Sequence, residues 1–300
     1  MRVSVIGAGA LGTFYSAMLS ASGQDVTLVC RERDVEALSR GVHVTGLLER
    51  TAHPRIAARP PPSDLIFITV KAYDIEAAAM GIHVEPDTLV VVIHNGLGGD
   101  EAAASILGKG HVAVGVSYSG VTFLEPGKVR LAGYTETVLG SVEPEVQKRL
   151  DVAKEALEKA GLMARIAPDI RAAQWEKLYA NLAINPITAL TGIKNGAILE
   201  IPELKALAAE LVDEASMVSK ALGIKTGVDP VENAFKVMRD TYNNRSSMLQ
   251  DVMRGRRTEI DALNGKVCEL ARFLGISTPR NDAITALIKG LEKGKLREDS

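Results

Sequence analysis

The 300-residue chain is 46% apolar and 24% charged with a net charge of −2, the balance of a soluble globular protein long enough for about two domains. That small charge, with a pI near 6.3, is no polyanion-binding signature and argues against nucleic acid as a partner. No stretch approaches eighteen uninterrupted apolar residues, which argues against a membrane span.

Cys30 and Cys268 lie far apart, without metal-type spacing, and read as reduced thiols of a cytoplasmic protein. Residues 1–12 resemble a signal-peptide core only superficially, since no charged leader or cleavage site accompanies them. Met1–Ile6 is instead a short apolar strand, and Gly7-Ala8-Gly9-Ala10-Leu11-Gly12 follows it directly. A helix over Thr13–Ser22 and a strand over Asp25–Cys30 complete a β-α-β unit around G-x-G-x-x-G. In that context Gly7 permits the tight turn, Gly9 lets a pyrophosphate approach, and Gly12 allows close helix–strand packing. The helix N-terminus adds free N–H groups and positive dipole, so a dinucleotide is the expected ligand.

At the end of the second strand an NAD enzyme usually places an acid on the ribose 2′-hydroxyl. This chain has Arg31, then Glu32 and Arg33. A guanidinium there suits a 2′-phosphate and favours NADPH. Glu32 keeps NAD open, and two ordinary surface arginines are the plain alternative. Val35–Arg40 reads as helix and Val42–Ala58 as short strands before the Pro60-Pro61-Pro62 turn. Asp64–Val70 and Thr88–Ile93 read as buried parallel strands that deliver Lys71 and His94-Asn95-Gly96 at their carboxyl ends. Ligands of open α/β sheets bind at such ends, so Lys71 and Asn95 are candidates for the cofactor's phosphate, ribose or nicotinamide. Their plain alternative is a loop residue serving backbone groups. Val112–Gly120, Val129–Ala132 and Thr137–Gly140 read as strands, with a hairpin at Pro126-Gly127. Pro144–Ala160 reads as one amphipathic helix ended by Gly161, Leu162–Ile166 as the last strand, and Ala167-Pro168 as the domain boundary.

The second half reads as helical. On a helix, Trp175, Leu178, Tyr179 and Leu182 cover one side, and Ala180, Ala183 and Ile184 most of the other. Lys177, Asn181 and Asn185 form a narrow polar strip, the inverse of an ordinary surface helix. If enclosed, an ammonium with two carboxamides suits a small ligand bearing carbonyl and carboxylate oxygens; the bland reading is a solvated edge. An Asn195-Gly196 turn and helices over Pro202–Leu222, Val231–Tyr242, Met248–Arg254 and Asn281–Leu291 follow, with a frayed Lys289–Ser300 tail. Ser247 with Gln250, and Thr258 with Asp261 before a helix to Leu274, fit capping boxes, which leaves capping as the rival role for Ser247. Glu259 in a first helical turn is likewise unexceptional.

GAGALG, VKAYD at Val70–Asp74, HNGLG at 94–98, EKLYANLAINP at 176–186 and SSMLQDVMRGRRTEID at 246–261 together resemble the ketopantoate reductases, in order and spacing over nearly the whole length. The resemblance implies an α/β Rossmann domain over residues 1–167 that binds NADP. An all-α domain like that of 6-phosphogluconate dehydrogenase follows over 168–300, carrying substrate and catalysis. It implies NADPH-dependent reduction of 2-dehydropantoate to (R)-pantoate, on the route to pantothenate and coenzyme A. By the same resemblance Lys177 is the proton donor and Glu259 a catalytic or substrate-orienting carboxylate. Asn95, Asn181, Asn185, Asn195, Asn244 and Ser247 fall around the substrate. Gly7 to Gly12, Arg31, Lys71 and Asn95 fall on cofactor positions. Asp74 departs from the pattern, which often has glutamine there, near the 2′-phosphate.

The chemistry agrees. Hydride addition to a ketone leaves negative charge on oxygen, which a protonated lysine stabilises and protonates. A reductase of another branched 2-keto acid and a non-catalytic NADP-binding sensor stay open, the latter having no need of the Lys177 strip. A homodimer also stays open, because the apolar helices suit either each other or a second subunit.

Overall fold

The computed structural model describes residues 1–133 and 136–298. The chain divides into two compact units, Met1–His94 with Gly99–Ile170, and Asn95–Gly98 with Arg171–Ser300.

The first unit holds strands β1 (Arg2–Ile6), β2 (Asp25–Val29), β3 (Val42–Gly46), β4 (Arg50–Ala52), β5 (Arg55–Ala57), β6 (Leu65–Ile68), β7 (Leu89–Ile93), β8 (Val112–Ser117), β9 (Gly120–Glu125), β10 (Lys128–Gly133), β11 (Thr137–Gly140) and β12 (Ala164–Ile166). Its helices are α1 (Ala10–Ala21), α2 (Val35–Leu38), α3 (Ile75–Met80), α4 (Gly99–Leu107), α5 (Pro144–Gln147) and α6 (Asp151–Lys159). An eight-stranded sheet runs β12-β11-β8-β7-β6-β1-β2-β5, parallel throughout except where β8 meets β11. From β5 to β8 the order is that of the Rossmann fold, 3-2-1-4-5-6. The central strands are continuous apolar runs because both faces are covered. Val3, Val5, Leu65, Phe67, Leu89 and Val91 face the core that holds α1. Ile6, Ile66, Ile68, Val90 and Val92 face Ile75 of α3 and Ala103 of α4.

A second sheet, β4-β3-β10-β9, packs over α1. Held between two sheets, α1 buries every residue from Gly12 to Leu19. Two expectations are corrected here. The run Val112–Gly120 is not one strand: β8 stops at Ser117, and the hairpin at Gly127 (φ +79°) joins β10 to β9. Pro144–Ala160 is not one helix. The Leu150 side chain is fully buried, and Arg149 donates to Gly110 O and Asp87 O at 3.1 and 2.6 Å, holding tighter turns between α5 and α6.

The second unit contains α7 (Ile170–Thr191), α8 (Pro202–Ala221), α9 (Pro230–Asp240), α10 (Ser247–Met253), α11 (Asn264–Leu274) and α12 (Pro279–Glu298). Its core joins Leu178 and Leu182 of α7 to Leu211 and Val212 of α8, Met238 of α9, Val267 of α11 and Ile284 of α12. Asn195-Gly196 opens a 3-10 helix to Glu200 rather than a simple turn. The tail expected to fray is helical through Glu298, anchored where Lys289 meets Asp261 and where Glu292 accepts from Thr258 N; residues 299 and 300 lie outside the described residues. Among the described residues no helix is long and apolar enough to cross a membrane.

Candidate active site

The glycine turn is built from β1 outward. Gly7 has φ +107°, and its N–H donates to Val29 O. Thr69, just past β6, donates its hydroxyl to Ile6 O and Gly7 O, at 3.0 and 3.1 Å. A Cβ on Gly12 would lie 1.8 Å from Gly7 O, so the third glycine is a packing requirement. Among the described residues, a Cβ on Gly9 would meet nothing within 4 Å. The N-terminus of α1 has no side-chain cap and no acid in its first turn. Open space above Gly9 and uncapped N–H groups at Ala10, Leu11 and Gly12 fit a pyrophosphate.

Two matching turns flank this one. After β2 comes Arg31-Glu32-Arg33-Asp34-Val35-Glu36-Ala37, and after β6 comes Lys71-Ala72-Tyr73-Asp74-Ile75-Glu76-Ala77. In each, an extended basic residue (ψ 146° for Arg31, 150° for Lys71) leads into a 3-10 turn ending in aspartate and then a helix. Because β2 and β6 both pair with β1, Arg31 and Lys71 bracket the glycine turn. Arg31 Nη2 donates to Asp74 Oδ2 at 3.2 Å, a contact from one turn to the other.

In the second unit α7 has the inverted pattern. Trp175, Leu178, Tyr179 and Leu182 are buried, and so are Ala180, Ala183 and Ile184. Lys177 and Asn181 are half-buried, and Asn185 is buried. Burial pushes the Lys177 ammonium down from 10.5 to about 8, while the Glu259 carboxylate pulls it back up. Glu259 is itself buried. The expected capping box around it is replaced: Thr258 Oγ1 accepts from Ile260 N, residues 259–263 form turns, and α11 starts only at Asn264. Glu259 is therefore not a solvated first-turn acid. Its Oε2 accepts from Asn95 Nδ2 at 3.3 Å. Asn95 is held there because Leu97 N donates to Ala262 O, and Gly96, at φ +93°, lies too close to Ala262 O to carry a Cβ.

The remaining candidates lie at the Asn195 turn, in the stretch after α9 and at the start of α10. Asn195 is buried; its N–H donates to Asn244 O and its Nδ2 to Thr241 Oγ1. Its Oδ1 is buried and, among the described residues, has no hydrogen-bond partner. Asn244 and Ser247 are exposed. The capping expected of Ser247 belongs to Ser246, whose Oγ accepts from Leu249 N and meets Thr188 Oγ1 of α7 at 2.6 Å. Capping is thus removed as the rival role for Ser247. Sequence reasoning missed the Arg31–Asp74 contact, although the repeated basic-x-x-Asp-aliphatic-Glu-Ala pattern was a usable signal.

Residues 3–144 match the family described as ketopantoate reductase PanE/ApbA, and residues 169–292 its C-terminal domain. The 2-dehydropantoate 2-reductase of Archaeoglobus fulgidus is 35% identical over 293 residues, covering 98% of each chain. That of Pyrococcus horikoshii is 34% identical, covering 97% of this chain and 98% of its own. The solved PanE/ApbA family ketopantoate reductase of Ralstonia eutropha superposes with a TM-score of 0.91 at 28% identity, covering 99% of this chain and all of that one. With both halves matched and relatives aligned end to end, the chain belongs to the ketopantoate reductase family.

Proposed function

We propose that Lys177 is the general acid, and Glu259 its positioning carboxylate, in the NADPH-dependent reduction of 2-dehydropantoate to (R)-pantoate. The observation that carries this is the half-buried Lys177 beside buried Glu259, with the lysine pKa lowered to about 8. A lysine so tuned stays largely protonated near neutrality yet releases its proton more readily than an exposed one. Glu259 keeps it charged and oriented, and Asn95 Nδ2 fixes the carboxylate. Asn181 and Asn185, on the same strip of α7, offer amide donors to the substrate carboxylate and hydroxyl without a competing charge. Asn195, Asn244 and Ser247 complete the proposed substrate contacts, with the unspent Asn195 Oδ1 as an acceptor for the substrate hydroxyl.

In the first unit, Gly7, Ala8, Gly9, Ala10, Leu11 and Gly12 hold the pyrophosphate, Arg31 the adenosine 2′-phosphate, and Lys71 the neighbouring phosphate or ribose. The nicotinamide supplies the hydride when bound. Lys177 gives its proton to the ketone oxygen as negative charge develops there, leaving a neutral amine and a neutral alcohol. A non-catalytic sensor would not need a half-buried lysine beside a buried carboxylate.

Buried free thiols at Cys30 and Cys268 support the cytoplasm as the compartment. A homodimer is proposed as the assembly, supported by the exposure of Phe273 on α11 and Leu287 on α12; a monomer in sedimentation equilibrium overturns that part. The activity is tested with purified protein and a panel of 2-keto acids, following NADPH absorbance. 2-Dehydropantoate is expected to give the highest kcat/KM, and a better substrate elsewhere in the panel overturns the assignment.

A further inference from the structure

We infer that Asp74 sets the coenzyme preference of this chain by competing with the adenosine 2′-phosphate for Arg31. The inference rests on the reading of Arg31 and the glycine turn as the nucleotide site.

Arg31 and Asp74 stand on the two matching turns, after strands that pair with β1 on opposite sides. Asp74 occupies the N-cap position of α3, where aspartate ordinarily accepts a hydrogen bond from the first helical turn. It makes no such bond, because the 3-10 turn runs straight into α3 and leaves Asp74 with helical dihedral angles (φ −102°, ψ −3°). The carboxylate goes to Arg31 instead, at 3.2 Å. Asp34, at the equivalent place in the other turn, also makes no cap bond and remains beside Arg33 at 4.0 Å.

The arrangement treats the two coenzymes oppositely. A 2′-phosphate that reaches Arg31 comes close to a fixed carboxylate, so part of the attraction is cancelled by like-charge repulsion. A ribose 2′-hydroxyl in the same place donates to that carboxylate, the contact acidic residues make in NAD enzymes. Arg31 therefore recruits the phosphate while Asp74 penalises it. The result is a site with a narrowed preference that accepts both NADPH and NADH.

The test is calorimetric titration of the intact protein with NADP⁺ and with NAD⁺, which reads binding without turnover. Asp74→Asn keeps the shape and removes the charge. It should tighten NADP⁺ by about two- to fivefold, the scale of one partly exposed charge contact, and weaken NAD⁺. Arg31→Ala should move both affinities the opposite way. Weaker NADP⁺ binding by Asp74→Asn would show that the carboxylate orders Arg31 rather than opposing the phosphate, and overturns the inference. Equal shifts for both coenzymes overturn it too. Failure of the underlying reading is separately visible as wild-type protein that binds neither coenzyme, which overturns both.

Discussion

Asn264 Nδ2 donates at 3.1 Å to the Leu182 carbonyl, the acceptor that Pro186 leaves without its helical donor. Proline has no N–H to return to the residue four positions back, and Asn264 supplies one from α11. The same amide nitrogen donates to Asn281 Oδ1, and Asn281 Nδ2 continues to Leu211 O and Glu214 of α8. The helix bearing Lys177, Asn181 and Asn185 is thus tied by hydrogen bonds to three others just where its ladder is broken. Asn264→Ala should destabilise by about 1–3 kcal/mol for each buried acceptor it strands. In a Pro186→Ala background the new N–H can serve Leu182, so the same substitution should cost less. Denaturant unfolding of the four proteins measures this, and equal costs in both backgrounds would refute the link.

The glycines separate folding from ligand binding. Gly9→Ala places its methyl in open space at an ordinary φ of −77°, so the fold should hold within about 1 kcal/mol. Coenzyme affinity should nevertheless fall by about tenfold or more, because the methyl fills the place of a phosphate. Gly12→Ala drives a Cβ into Gly7 O and should unfold the first unit or cost more than about 3 kcal/mol. Calorimetry and thermal melts on both variants decide it. A Gly9→Ala protein with unchanged coenzyme affinity would remove the pyrophosphate from this turn.

Both thiols should be unreactive in the native protein. Burial raises Cys30, and raises Cys268 to about 11, so neither forms thiolate near neutrality. A colorimetric disulfide reagent at pH 7.5 should label neither on the minute timescale, and both at once in denaturant. Rapid native labelling of either would show local opening of its unit.

What could be read ahead of the structure followed short-range regularity. The β-α-β unit around Gly7–Gly12 and the inverted helix around Lys177 both declare themselves through spacing, because strands repeat every two residues and helices every 3.6. β9 escaped because Gly120–Glu125 has no buried alternation. Glu259 was obscured by local chemistry, since Thr258 and Asp261 mimic a helix start that begins at Asn264. Asn95 meets Glu259 across 164 positions, and Arg31 meets Asp74 across 43. The repeated turn pattern marks Arg31 and Asp74 as standing on equivalent turns, but the pairing itself, like that of Asn95 with Glu259, is selected by the tertiary fold.

The acid role of Lys177 fixes the direction of a pH profile. Reduction needs the ammonium, whose pKa is about 8, so kcat/KM for reduction should be level below that pH and fall about tenfold per unit above it. Oxidation of pantoate needs the neutral amine and should rise through the same range. Stability follows the same titration. Burial disfavours the charged form, so the unfolded chain binds more protons between about 8 and 10.5, and folding should strengthen as pH rises through that window. Lys177→Ala should lower kcat by about 10²–10⁴ and flatten both profiles. Glu259→Gln removes the charge that raises the lysine, so the midpoint should move below its wild-type position. Unfolding curves on each variant guard against simple loss of fold. A folded Lys177→Ala enzyme with near-normal kcat, or a Glu259→Gln profile displaced to higher pH, would defeat the mechanism.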